Sequence, residues 1–152
     1  MGARSWITLA AQATLAVGLV AAGALMLGPF QGAERAFGLS DKEAHALAFF
    51  ALTLTACLAA PRLRKDDLAL AALALAGASE LAQGVVGREA GVGDLVADAL
   101  GVFLAWAPMQ AAQMRMRMNL RQRALDQGLP PPLSRRAGDP KPRARAAQTP
   151  PA

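Results

Sequence analysis

The chain contains no tyrosine, one cysteine and one histidine, and aromatic residues make up only 5% of its 152 residues. Each shortage removes a class of function. Cys57 has no partner within the chain, so an internal disulfide is excluded and the thiol reads as a small packed hydrophobe. With His45 as the sole imidazole, neither paired-histidine spacing nor an HExxH-like motif exists. The basic C-terminal segment lacks aromatics and any folded module, so it does not read as a nucleic-acid binder.

What is abundant is apolar sequence. Hydrophobic residues reach 54% with a mean hydropathy of +0.28, above the roughly 45–50% of ordinary soluble domains. They fall in blocks. Trp6 to Phe30 carries no charge, and a membrane span needs roughly 20 such residues. Shorter runs follow at Ala44–Ala60, Leu68–Val86 and Val92–Met109. The expected fold is an all-α, polytopic four-helix transmembrane bundle with spans near 6–30, 41–61, 68–87 and 92–110. A basic juxtamembrane helix is expected over 111–127, then a largely disordered cytoplasmic tail over 128–152, where Pro130–Pro132 stops any helix. The first run is read as a retained helix, since a cleaved signal has a core of roughly 7–15 residues and a stronger leader than Arg4.

Basic residues orient the bundle. From Arg115 to Arg145 nine Lys/Arg face only Asp126 and Asp139. Four spans put thirteen basic residues on the side of Arg4, the Arg62–Lys65 loop and the tail, against Arg35, Lys42 and Arg88 opposite. Lys and Arg are retained in the cytoplasm, so both termini are expected there, in a bacterial inner membrane. The tail's clustered charges suit anionic headgroups.

Two acids, Glu80 and Asp98, interrupt the last two spans. A carboxylate at the centre of a spanning helix costs roughly 2.5–3.5 kcal/mol, so residues that remain there are functional candidates. Ser40-Asp41-Lys42-Glu43 forms a capping-box pattern that starts the second helix. At 1.5 Å per residue, His45 then lies roughly 6 Å inside that helix, and Glu80 and Asp98 roughly 10 Å inside theirs. Asp94 and Asp98 share one face, as do Asp41 and His45, while Glu80 neighbours Gln83. The short connection Gly87–Gly91 makes the last two helices antiparallel neighbours. Polar groups from three helices are therefore expected to converge at one end. Two acids at one depth need a cation close by, from Arg88, Lys42 or His45, or else a shared proton.

The ordered set Asp41-Lys42-x-x-His45-x-x-x-Phe49, Glu80-x-x-Gln83 and Arg88-x5-Asp94-x3-Asp98-x-x-Gly101 resembles the VanZ-like membrane proteins. The resemblance covers roughly Ser40 to Gly101. That family usually has Asn where this chain has Asp98, and often Tyr after the His, where this chain has Phe49–Phe50. The founding member of that family is associated with low-level teicoplanin resistance; the resemblance implies a polytopic envelope protein of unresolved activity, with no catalytic assignment.

The expected ligand-binding or polar-network residues are thus Asp41, Lys42, His45, Glu80, Gln83, Arg88, Asp94 and Asp98. A lipid-linked envelope precursor or other headgroup-like ligand is the leading partner. An acid/base enzyme using His45 or Glu80, or a small subunit of a larger membrane complex, are the alternatives. No nucleophile is evident, as Ser79 points about 100° away from Glu80. His45, Glu80, Asp94 and Asp98 have the donor types of a Zn²⁺ or Mn²⁺ site, but the spacing carries no metal motif and no cofactor is assigned.

Overall fold

The computed structural model describes residues 3–30, 32–87 and 91–128, with side chains from residue 5. Among them the chain is all-helical: α1 (Ala3–Leu27), α2 (Asp41–Ala59), α3 (Lys65–Val85) and α4 (Val92–Asp126), with a short 3-10 helix at Ala33–Phe37. All four α-helices are long and apolar enough to cross a membrane. Residues 1–114 and 115–152 are separate units. The first holds the packing described below; in the second, the described part is the exposed basic end of α4.

Residue chemistry sets the boundaries. Ser40 caps α2: Glu43 N–H donates to Ser40 Oγ at 3.4 Å, and Ser40 N–H donates to Glu43 Oε2 at 2.8 Å. Both halves of the expected capping box are formed. At the far end of α2, Lys65 Nζ donates to the Cys57 carbonyl at 2.8 Å, satisfying a terminal acceptor with a cation. Several bounds differ by two or three residues from the sequence reading. α1 stops at Leu27, and a 3-10 turn framed by Gly32 and Gly38, both at positive φ, fills part of the connection to α2. α3 starts at Lys65 rather than 68, with Asp66 and Asp67 in its first turn, where the helix dipole favours acids. The basic segment continues α4, as a reading of Met114–Arg123 as an extension of the fourth helix implies, and α4 passes Pro108 and ends at Asp126. The tail expectation over 129–152 falls outside the described residues.

The packing is inverted relative to a water-soluble bundle. Leu47, Leu54, Leu58, Leu70, Leu81, Leu100 and Phe103 face outward, whereas Ala69, Ala76, Ala97, Ala105, Thr53, Gln83, Asp94 and Asp98 are buried. Lipid removes the hydrophobic drive between helices, so small residues that allow close approach line the contacts. Gly101 is the extreme case. A Cβ there would lie 2.1 Å from the Ala46 carbonyl oxygen and 2.9 Å from Phe50 N, so α4 crosses α2 backbone against backbone. Ala97, Gly101 and Ala105, spaced by four, make one buried small-residue stripe.

Long-range bonds fix the helix directions. Gln12 Nε2 donates to the Ala59 carbonyl at 3.2 Å, and Gln83 Nε2 to the Met26 carbonyl at 3.3 Å. The ends of α1 and α3 and the starts of α2 and α4 therefore share one end of the bundle. At the opposite end, Trp106 Nε1 donates to Asp66 Oδ1 at 2.9 Å and Gln110 Nε2 donates to the same oxygen. Between these tethers α3 and α4 leave an apolar groove of about 660 Å³, lined by Leu70, Leu73, Val96, Leu100 and Phe103.

Candidate functional site

The close crossing at Gly101 places the first turns of α2 and α4 side by side. One turn from the contact, His45 Nδ1 and Asp98 Oδ1 are 2.9 Å apart. An ionised Asp98 has only acceptors, so in this pair Nδ1–H donates and the Nε2 lone pair of a neutral ring remains free for another partner. His45 is 6% exposed and Asp98 0%. One turn nearer the end, Lys42 Nζ donates to Asp94 Oδ1 at 3.1 Å. This outer pair is different in kind, because the Lys42 side chain is 64% exposed while that of Asp94 is 10% exposed. The stem of Lys42 runs over Gly93, where a Cβ would meet Lys42 Cε at 2.9 Å.

Glu80 enters from α3. Its Oε2 accepts the Gly91 N–H at 3.0 Å, and the Gly91 carbonyl in turn accepts from Asp94 N and Leu95 N. An acid inside one helix thus fastens the residue that opens the next. One donor atom each from His45, Glu80 and Asp98 fall within 4.8 Å of one another. Two oxygens in this trio, Glu80 Oε1 and Asp98 Oδ2, are buried with no hydrogen-bond partner among the described residues. Both acids thus have bonding capacity left over.

Of the residues singled out in the sequence, Lys42 and Asp94 form the outer pair, and His45, Glu80 and Asp98 the inner trio. Gln83 is buried at the same end but is committed to the Met26 carbonyl on α1. Asp41 is exposed in the first turn of α2. Arg88 lies outside the described residues. Asp94, drawn with the trio as a possible metal ligand, is instead engaged by Lys42. Ser79 Oγ donates to the Ala76 carbonyl at 2.8 Å, which occupies its proton within α3.

Two features of the site were missed. The stripe Ala97-x3-Gly101-x3-Ala105 is a small-residue repeat on the same helix as the acids. The second is a cleft of about 210 Å³ where the end of α1, the 3-10 helix and the start of α2 meet. Its walls include Leu25, Phe30 and Phe37, with Glu34, Asp41 and His45 among the polar contributors. Only the 3-10 turn brings Glu34 to this place, and no periodic signal announces it.

Comparison of the chain with family models, curated proteins and solved structures finds no match.

Proposed function

We propose that this protein is a bacterial inner-membrane envelope factor that holds the headgroup of a lipid or lipid-linked precursor at the polar end of its bundle. The observation that carries the reading is the cleft beside α2, which joins apolar walls for an acyl or isoprenoid chain to the carboxylates of Glu34 and Asp41. Those acids suit an amine or sugar hydroxyls. They favour that chemistry over a bare phosphate because Lys42 is already engaged by Asp94. The ordered polar residues that resemble the VanZ-like family support the same reading and extend it to an influence on glycopeptide susceptibility. The excess of basic residues in the Arg62–Lys65 loop and in the tail supports cytoplasmic termini, with the polar end facing outward. On that topology the basic C-terminal segment meets anionic headgroups on the inner face.

The His45–Asp98 pair favours a second reading, acid/base chemistry on such a lipid. An imidazole oriented by a buried carboxylate is the usual form of a general base. Ser79, with its hydroxyl turned to its own helix, supplies no nucleophile for it.

The test uses vesicles containing equal parts phosphatidylethanolamine and phosphatidylglycerol. Native mass spectrometry of protein released from them should show selective retention of the amine-bearing lipid, lost in Glu34→Gln/Asp41→Asn. Equal retention of both lipids, or selectivity unchanged in the double variant, overturns the reading.

A further inference from the structure

We infer that His45, Glu80 and Asp98 form a binding site for a first-row divalent cation of the zinc or manganese class. The inference is independent of the headgroup reading, which rests on Glu34 and Asp41. Three observations on three helices converge on it.

The first is distance. For three donor atoms no more than 4.8 Å apart, some point lies within 4.8 Å divided by √3, about 2.8 Å, of all of them. Metal–nitrogen and metal–oxygen bonds to zinc are about 2.0–2.2 Å. Side-chain rotations that close roughly 0.7 Å per ligand therefore suffice, with no movement of helices already locked at Gly101.

The second is unused bonding capacity. Asp98 is fully buried, yet among the described residues its Oδ2 has no partner, and Glu80 Oε1 is likewise buried and unpaired there. Buried polar atoms without partners are uncommon in native proteins, and an ion is one of the few explanations for them. Inside a membrane the cost of such an atom is not relieved by water.

The third is charge. Among the described residues no Lys or Arg side chain pairs with Glu80 or Asp98, and the only cation paired with an acid at this end, Lys42, belongs to Asp94. In the form that ligates a metal, with both carboxylates ionised and the imidazole neutral, the trio carries two negative charges, which a divalent ion cancels.

The donor set selects the metal. One imidazole and two carboxylates suit zinc or manganese, whereas calcium and magnesium take mostly oxygen ligands in larger numbers. Three protein ligands also leave a coordination position open on a tetrahedral ion.

The test is metal content. The full chain, purified in detergent, stripped with a chelator and incubated with Zn²⁺ or Mn²⁺ alone, should leave gel filtration with one ion per chain. The ion should raise its thermal midpoint. Asp98→Asn and Glu80→Gln should each weaken binding by about 100-fold or more, the upper range seen when groups that merely support metal ligands are removed. Asp66→Asn, which alters an acid at the other end of the bundle, should bind as the wild type does. Circular dichroism of each variant distinguishes lost ligands from lost structure, and the midpoint shift of the wild type requires no variant at all. Substoichiometric metal with an unmoved midpoint, the result expected if the two carboxylates share a proton instead, overturns the proposal. So does wild-type affinity in both Asp98→Asn and Glu80→Gln.

Discussion

The two ends of this bundle each contain acids set into apolar helices, and they treat them in opposite ways. At the Asp66 end the carboxylate is well supplied with donors: Trp106 and Gln110 both donate to Oδ1, and Arg64 lies 3.7 Å from Oδ2. Its side chain is 43% exposed, so water is also within reach. At the His45 end, Asp98 is sealed from solvent with, among the described residues, one oxygen bonded and the other not, and Glu80 has the same half-filled pattern. A saturated acid near a helix end clamps α3 to α4. An unsaturated acid one or two turns inside contributes little as glue, because interhelical hydrogen bonds in membranes average only about 0.6 kcal/mol. The difference separates an acid whose bonds are spent on the fold from acids that keep bonding capacity in reserve.

The contrast is most severely tested at the contact that creates the inner trio. Gly101→Ala places a methyl group 2.1 Å from the Ala46 carbonyl oxygen. Overpacking of this kind costs typically about 1–3 kcal/mol and more when only backbone can yield. The variant should lose most of its monodisperse yield in detergent. Gly77→Ala, with nothing within 4 Å of the new methyl, should be neutral or gain up to about 1 kcal/mol from helix propensity. Similar behaviour in the two would mean that α2 and α4 do not cross here.

Asp98→Asn sharpens the comparison by removing charge while keeping an acceptor for His45 Nδ1–H. In the absence of metal this variant should be more stable than the wild type by about 1–2 kcal/mol, part of the roughly 2.5–3.5 kcal/mol that an acid costs in a span. Thermal unfolding after chelation reads this directly, and a lower midpoint would place Asp98 among the structural acids. Asp66→Ala should act in the opposite direction. Loss of the acceptor for Trp106 and Gln110 should destabilise by about 1 kcal/mol, visible as a lower midpoint and a red-shifted tryptophan emission. The smallest effect is expected at the rim. Lys42→Ala removes a largely exposed partner of Asp94 and should cost about 0.5 kcal/mol or less, with high salt abolishing even that difference.

Local signals carried much of this structure. Ser40 and Glu43 announced the start of α2 because a capping box is made within four residues, and both bonds form. Four apolar runs marked four helices because a span must be long and almost free of charge. Spacing on α4 placed Asp94 and Asp98 on one face, and depth from the helix ends brought Glu80 and Asp98 to about 10 Å, with His45 about 6 Å inside at the same end. The remainder depended on contacts between distant residues. Lys42 and Asp94 are 52 positions apart, and nothing in either segment says that Lys42 takes Asp94 while His45 takes Asp98. The clamp of Trp106 and Gln110 on Asp66 went unread for the same reason. Glu34 joins the cleft only because a five-residue 3-10 turn folds the α1–α2 connection back on the bundle.

The bond from Gly91 N–H to Glu80 couples the interior of α3 to the start of α4. Oε2 grips the amide that opens α4, while Oε1 stands idle a bond length or two away on the same carboxylate. Anything captured by the idle oxygen immobilises the whole group and stiffens the hairpin between α3 and α4. Occupancy deep in the bundle would thus be felt at its surface, as a slower amide exchange at Gly91 when the interior is filled.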